Sequence, residues 1–184
     1  YQYIAMYKLI NNFAKNEYNP MSTGAWNKTY VPTALADHTF KAISRTNNDT
    51  LYVSTMLDLR AEPVVVHYPA FDSKFVSLET SAYDHYVDIP LSTTKGDFKK
   101  PVNMLYYTDR TRGYDGAPVE GIDKYMKMSG DFAIAFLRIM PHAAEPERLK
   151  KNLATMKEVT AKTLSEYLGK PAKPVEKTRF PAFG

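Results

Sequence analysis

Residues 50–59 read TLYVSTMLDL, and the alternation of their side chains decides the fold class. Leu51, Val53, Thr55, Leu57 and Leu59 fall on one face at a period of two, with Tyr52, Ser54, Met56 and Asp58 on the other. Successive side chains of an extended chain point to opposite sides, so the stretch is a strand. Glu62-Pro63 interrupts it, because proline has no N–H to give to a ladder. Val64–Tyr68 (VVVHY) is then a second strand, residues 70–74 (AFDSK) a turn, and Phe75 to about Val87 a third strand. Short turns between consecutive strands predict an antiparallel meander over residues 50–88, since parallel strands would need long crossovers.

Working outward, Asn103–Thr108 and Lys124–Met128 are further strand candidates, separated by the exposed loop RTRGYDGAP. Residues 132–140 (FAIAFLRIM) are apolar almost throughout; periodicity alone does not separate buried strand from buried helix there. A strand fits better, because Pro141 ends the run early and a meander needs neighbours. Residues 3–14 space Tyr3, Met6, Tyr7, Ile10 and Phe13 at threes and fours, which predicts an amphipathic helix. An irregular stretch follows to Asp37, with Trp26 expected to pin it to the core. Near the other end, Pro146 opens a helix whose apolar stripe runs through Leu149, Leu153, Met156, Val159 and Leu164 to Leu168, before Gly169 and Pro171 stop it. The expected architecture is α+β, an antiparallel β-meander sheet packed with an N-terminal and a C-terminal helix. Residues 1–168 would form one domain and residues 169–184 a Pro/Lys-rich tail or linker. With 184 residues, 44% of them hydrophobic, the chain can fill one core.

Composition removes several function classes. There is no cysteine, which excludes disulfides, thiolate metal sites and a cysteine nucleophile. No eighteen-residue apolar run suits a membrane-spanning helix. The net charge of +4 is localised: nine of the 24 basic residues but only five of the 20 acidic ones lie from Glu145 onward, so the rest of the chain is balanced. No basic stripe interleaved with aromatics runs through the body, which argues against a nucleic-acid partner. The four histidines lack metal-ligand spacing, and no phosphate-binding glycine loop or nucleophile elbow occurs, so neither a metal nor a cofactor is implied. The chain opens on Tyr1 without a charged-then-apolar leader. The expectation is either a removed signal segment or an excerpt of a longer protein.

Two polar clusters stand out. Residues 45–50 (RTNNDT) precede the first strand. They are either a turn in which Asn and Asp bond the local backbone or a site holding Asp49, with Arg45 as an anion clamp. Residues 81–88 (SAYDHYVD) place Asp84 beside His85. In an unbroken strand these two point to opposite faces, with His85 on the side of Glu79 and Asp84 on the side of Val76 and Leu78. Asp84 would then face the core, where a carboxylate needs a partner because desolvating a lone charge is costly. Arg138, inside FAIAFLRIM, is the expected partner, and the Asp49 cluster the second choice.

The order of these pieces resembles the bacterial DUF 1254 family. RTNNDTLYVSTMLDLRAEPVVVHYP followed by KFVSLETSAYDHYVDIP is similar to the family pattern at Asn47, Asp49, Thr50, Leu51 and Tyr52, at Asp58-Leu59 and Pro63-Val64, at Phe75 and Ser77, and at Asp84-His85-Tyr86. Arg138, late in a buried run, resembles an arginine at the end of a family strand. The chain departs from the pattern at Asn48, where the family has arginine, and at Glu79, where it has glutamine. The resemblance runs from Tyr1 to about Leu168 and is most specific over residues 45–88. It implies an α+β fold with an antiparallel sheet, export to the periplasm or beyond, and a second, mostly β domain or subunit as partner. It implies no settled activity.

Two functions remain open on the residues. In one, the chain is a binding or assembly domain whose tyrosine-rich sheet face meets a small-molecule ligand or another subunit. In the other it is an acid–base hydrolase or lyase acting on a small polar or sugar-like substrate. There Asp49 and Asp84 would serve as carboxylates with divergent pKa values and His85 as proton shuttle. Arg45, Asn47 or Arg138 would hold an anionic group, and Tyr52 and Tyr86 would line the cleft. A third idea, attachment of the basic C-terminal helix to a membrane surface, rests on charge placement alone.

Overall fold

The computed structural model describes residues 25–39 and 47–175, together with Ile4 and Lys8. In chain order its strands are β1 (Lys28–Tyr30), β2 (Leu51–Asp58), β3 (Val64–Tyr68), β4 (Val76–Ala82), β5 (Val87–Ser92), β6 (Val102–Tyr107), β7 (Lys124–Lys127), β8 (Phe132–Ile139) and β9 (Thr160–Thr163). Helix α1 (Pro146–Met156) precedes β9, and the short α2 (Leu164–Tyr167) follows it. A five-stranded sheet has the order β1-β2-β8-β4-β5 and a four-stranded sheet the order β7-β6-β3-β9. Every pairing is antiparallel except β6 with β7. The α+β class and the antiparallel sheet are therefore as the sequence predicts, and FAIAFLRIM is a strand. Of the expected N-terminal helix, Ile4 and Lys8 are helical, and the rest of residues 3–14 lies outside the described residues.

Connectivity departs from the meander. β2 and β3 enter different sheets, and β8 sits between β2 and β4. β2 pairs with β8 over eight rows, from Leu51↔Ile139 to Asp58↔Phe132. Both strands are eight residues long and buried on nearly all positions of both faces, so each fills the other's edge completely. The shorter β3, starting just past Pro63, pairs with β6 and β9. Leu51, Val53 and Leu57 of the first sheet and Val64, Val66 and Tyr68 of the second belong to one buried cluster, joined by Leu78, Leu137 and Tyr106. Within it the Tyr68 and Tyr106 hydroxyls bond each other at 2.7 Å.

The third predicted strand ends early. β4 stops at Ala82, and a turn closed by the His85 N–H donating to the Ala82 carbonyl (3.2 Å) sends the chain back as β5. His85 adopts φ +66°, a left-handed conformation that side chains other than Gly and Asn seldom take. Tyr83 lies across Gly130, where a Cβ would sit 2.5 Å from the ring, so only glycine permits this approach. Between Leu78↔Leu91 and Thr80↔Asp88, β4 advances two residues and β5 three, which puts a bulge at Ile89-Pro90.

The single long C-terminal helix is also corrected. α1 ends at Met156, residues 160–163 form β9 against β3, and Thr163 starts α2. Strand pairing overrides the helical stripe here, because Val159 and Thr163 are β-branched and buried beside β3. A capping box then restarts the helix: the Glu166 N–H donates to Thr163 Oγ1 (3.3 Å) and the Thr163 N–H to Glu166 Oε2 (2.8 Å). α1 packs Leu149, Leu153 and Met156 on the core. It also holds the loop after β3, since Arg148 Nε and Asn152 Nδ2 both donate to the Asp72 carbonyl (2.9 and 3.1 Å).

The buried Glu62 ties the chain's end to its middle. Its carboxylate accepts the Ser165 N–H (2.8 Å) and the Lys173 N–H (2.7 Å). Trp26 packs on Phe132 with ring centroids 4.9 Å apart, so the expected pin falls at one end of the first sheet's outer face.

Candidate functional site

Register assigns the first sheet two faces. Leu51, Val53, Leu57, Val76, Leu78, Leu137 and Ile139 point toward the shared core. The other face carries, row by row, Tyr52–Arg138–Ser77 and Ser54–Phe136–Glu79, with Thr50 one step beyond Tyr52. Strand alternation puts all of these on one side, because directly opposed residues of paired strands share a face.

The chemistry of this face centres on Arg138. Its Nη1 lies 3.6 Å from Glu79 Oε2, with the two side chains 32% and 30% exposed. The guanidinium carbon stands 5.6 Å from the centre of the Tyr52 ring, which in turn meets Phe136 edge to face at 6.4 Å. At 3.6 Å the ion pair lies outside hydrogen-bond range. Neither the Arg138 nor the Glu79 side chain makes a hydrogen bond with another described residue. Four buried side-chain polar atoms of the described residues lack a hydrogen-bond partner: Thr50 Oγ1, Ser54 Oγ, Arg138 Nε and Asn152 Oδ1. Three of the four lie on this face. An orphaned buried donor or acceptor costs about 1–3 kcal/mol, so such a concentration calls for a physical reason.

The eight residues singled out in the sequence divide into two groups. Asn47, Asp49, Tyr52 and Arg138 come together at one end of the sheet, while Asp84, His85 and Tyr86 form the β4–β5 turn at the other. Arg45 lies outside the described residues. Asp49 leaves from the row Leu51–Ile139–Val76 and Asp84 from the row Leu57–Ala133–Ala82. Six strand residues separate these rows, about 20 Å at 3.3 Å per residue. Acid–base work shared by Asp49, Asp84 and His85 is thus not supported.

The expected Arg138–Asp84 pair is likewise absent, and Glu79 takes the arginine. The turn at Tyr83 ends the register before Asp84 enters either face, so Asp84 does not point into the core. Its Oδ1 accepts the Tyr86 N–H at 3.2 Å. At the other cluster, Asn47 Oδ1 accepts the N–H groups of Asp49 (2.7 Å) and Thr50 (3.2 Å), which is the local-turn alternative, and Asp49 itself is exposed.

Sequence reasoning overlooked Glu79, Thr50 and Ser54 as site residues. Alternation in VSLETS does place Glu79 opposite in sense to the core residues Val76 and Leu78. Only the β4–β8 pairing reveals which cation it meets. No group of three or more His, Asp or Glu among the described residues could hold a metal ion, and no described helix is long and apolar enough to cross a membrane.

A family model described as "Protein of unknown function (DUF1254)" matches residues 26–162. Among solved structures the chain is similar to the VPA0106 protein from Vibrio parahaemolyticus, with a TM-score of 0.73 and 27% identity. That match covers 97% of this chain and 39% of the other, so the chain spans well under half the length of the Vibrio protein. It is more distantly similar to an uncharacterized protein from Burkholderia cenocepacia (TM-score 0.42, 17% identity, covering 84% of this chain and 46% of that one). No curated protein matches the chain.

Proposed function

The chain belongs to the DUF1254 family, and on that premise we propose that the outer face of its five-stranded sheet binds a small molecule carrying an anionic group, held by Arg138. The observation that carries this is the unspent hydrogen bonding there. Arg138 is about two-thirds buried and its Nε has no partner, with Ser54 Oγ and Thr50 Oγ1 orphaned on the same face. A guanidinium presents a planar fork of donors that suits a carboxylate or phosphate, and charge-assisted bonds of that kind are about twice as strong as neutral ones. Tyr52 supports the guanidinium from its ring face. On the family resemblance, the domain would meet its ligand outside the cytoplasm.

Thermal unfolding of the wild-type chain and of Arg138→Gln, each titrated with malonate and with inorganic phosphate, tests this. A ligand at about 100 times its Kd stabilises by about 2.7 kcal/mol, which raises Tm by roughly 5–11 °C at this chain length. The variant should lose that rise. An unresponsive wild type, or a variant that responds equally, refutes the site.

A second reading, assembly, has its own observation. Tyr86, Val87 and Ile89 at the β4–β5 hairpin are 77%, 55% and 45% exposed, three large apolar side chains within four residues. They would meet a second β domain or a second subunit.

A further inference from the structure

We propose that the ligand of the Arg138 face is a small amino acid-type zwitterion, its carboxylate on Arg138 and its ammonium on Glu79; this rests on the ligand-binding reading above. The Arg138 and Glu79 side chains approach to 3.6 Å without a hydrogen bond between them, and neither side chain makes one with any other described residue. Two opposite charges, each about one-third exposed, are therefore side by side with no side-chain hydrogen bond to a described residue. Glu79 beside Arg138 weakens the hold on a simple anion without abolishing it, and Arg138 likewise weakens the hold of Glu79 on a simple cation. A molecule with both signs meets neither penalty, and specificity arises from that difference. In an α-amino acid one carbon separates carboxylate from ammonium, a spacing commensurate with the 3.6 Å between the two side-chain heads.

The surroundings agree with this polarity. Tyr52 and Phe136, edge to face at 6.4 Å, offer an apolar floor beside the charged pair. It suits a hydrocarbon side chain better than a second charged group. Ser54, next to Tyr52 on β2 and directly opposite Phe136, is fully buried with its Oγ unpartnered.

The test compares three molecules of one shape, L-leucine, L-2-hydroxy-4-methylpentanoate and 4-methylpentanoate, titrated into the chain and followed by NMR shifts of β4 and β8 amides. An ammonium bonded to Glu79 should make leucine bind about tenfold or more tighter than 4-methylpentanoate, with the hydroxy acid between. Glu79→Gln should collapse that ratio toward one while 4-methylpentanoate still binds, and unfolding curves establish that the variant is folded. Equal binding of the three in the wild type, or a ratio unchanged in Glu79→Gln, overturns the zwitterion assignment. In that event 4-methylpentanoate binding lost in Arg138→Gln would leave the anion site standing. Binding of none of the three also overturns the assignment, and the malonate and phosphate titrations then judge the anion site separately.

Discussion

Replacing Glu62 by glutamine removes a charge and almost no volume, and the structure sets the size of the response. Glu62 is 3% exposed and accepts two backbone N–H groups, from Ser165 at 2.8 Å and Lys173 at 2.7 Å. These contacts close loops of 103 and 111 residues. A glutamine has one carbonyl oxygen, so its amide must turn an N–H toward one of the two donors and leave that donor unsatisfied. Hydrogen bonds to a charged partner contribute about 1.5–3 kcal/mol. A loss of about 2–3 kcal/mol lowers Tm by roughly 4–12 °C at this chain length.

The effect has a pH signature. Burial pushes the Glu62 carboxyl up, but the hydrogen bonds from Ser165, Lys173 and Thr163 outweigh it and hold the group below the usual carboxylate value. A depressed folded-state pKa means stability that is fully present above the unfolded value of about 4.5 and is lost as pH falls through the lower folded one. Urea unfolding from pH 7 to pH 3 should show the wild type and Glu62→Gln converging as acid removes the wild type's advantage. A constant gap across that range, or coincident curves at pH 7, would refute the role given to Glu62.

Two further substitutions probe what the packing implies. Tyr68→Phe leaves the buried Tyr106 hydroxyl without its 2.7 Å partner and should cost about 1–3 kcal/mol, whereas Tyr68→Phe with Tyr106→Phe should recover much of that, giving a measurable coupling energy in a double-mutant cycle of urea midpoints. Thr163→Ala removes the acceptor for the Glu166 N–H and should cost about 1 kcal/mol, with faster amide exchange confined to α2.

The candidate site shows how far local pattern carries. Alternation alone places Glu79 outward and Val76 and Leu78 inward, and the burial of those residues agrees. Arg138 stands out because a cation inside FAIAFLRIM must find compensation. The sequence points to Asp84 as its partner, and the structure differs for a physical reason: the turn after Ala82 contains neither Gly nor Pro, and His85 takes a left-handed conformation unusual for its residue type. Nothing in the composition of SAYDHYVD marks the break that removes Asp84 from the register. At residues 45–50 the turn chemistry was legible, and Asn47 bonds the backbone as its side chain predisposes it to.

By itself, then, the sequence determined what is local. Period-two alternation made a strand of residues 51–58, short apolar runs beside Pro63 and Pro141 suited strands at 64–68 and 132–139, and helical spacing with a leading proline made α1. Tertiary structure decided which strands meet. The period of 157–164 is compatible with a helix until β3 offers Thr160–Thr163 a ladder of backbone hydrogen bonds, and the tight link at Pro63 is compatible with a hairpin until β8 fills the edge of β2. Pairing energy depends on residues eighty positions away in the chain, and no local period carries that information. Arg138 and Glu79 meet for the same reason: their strands are joined by a register that only the folded sheet defines.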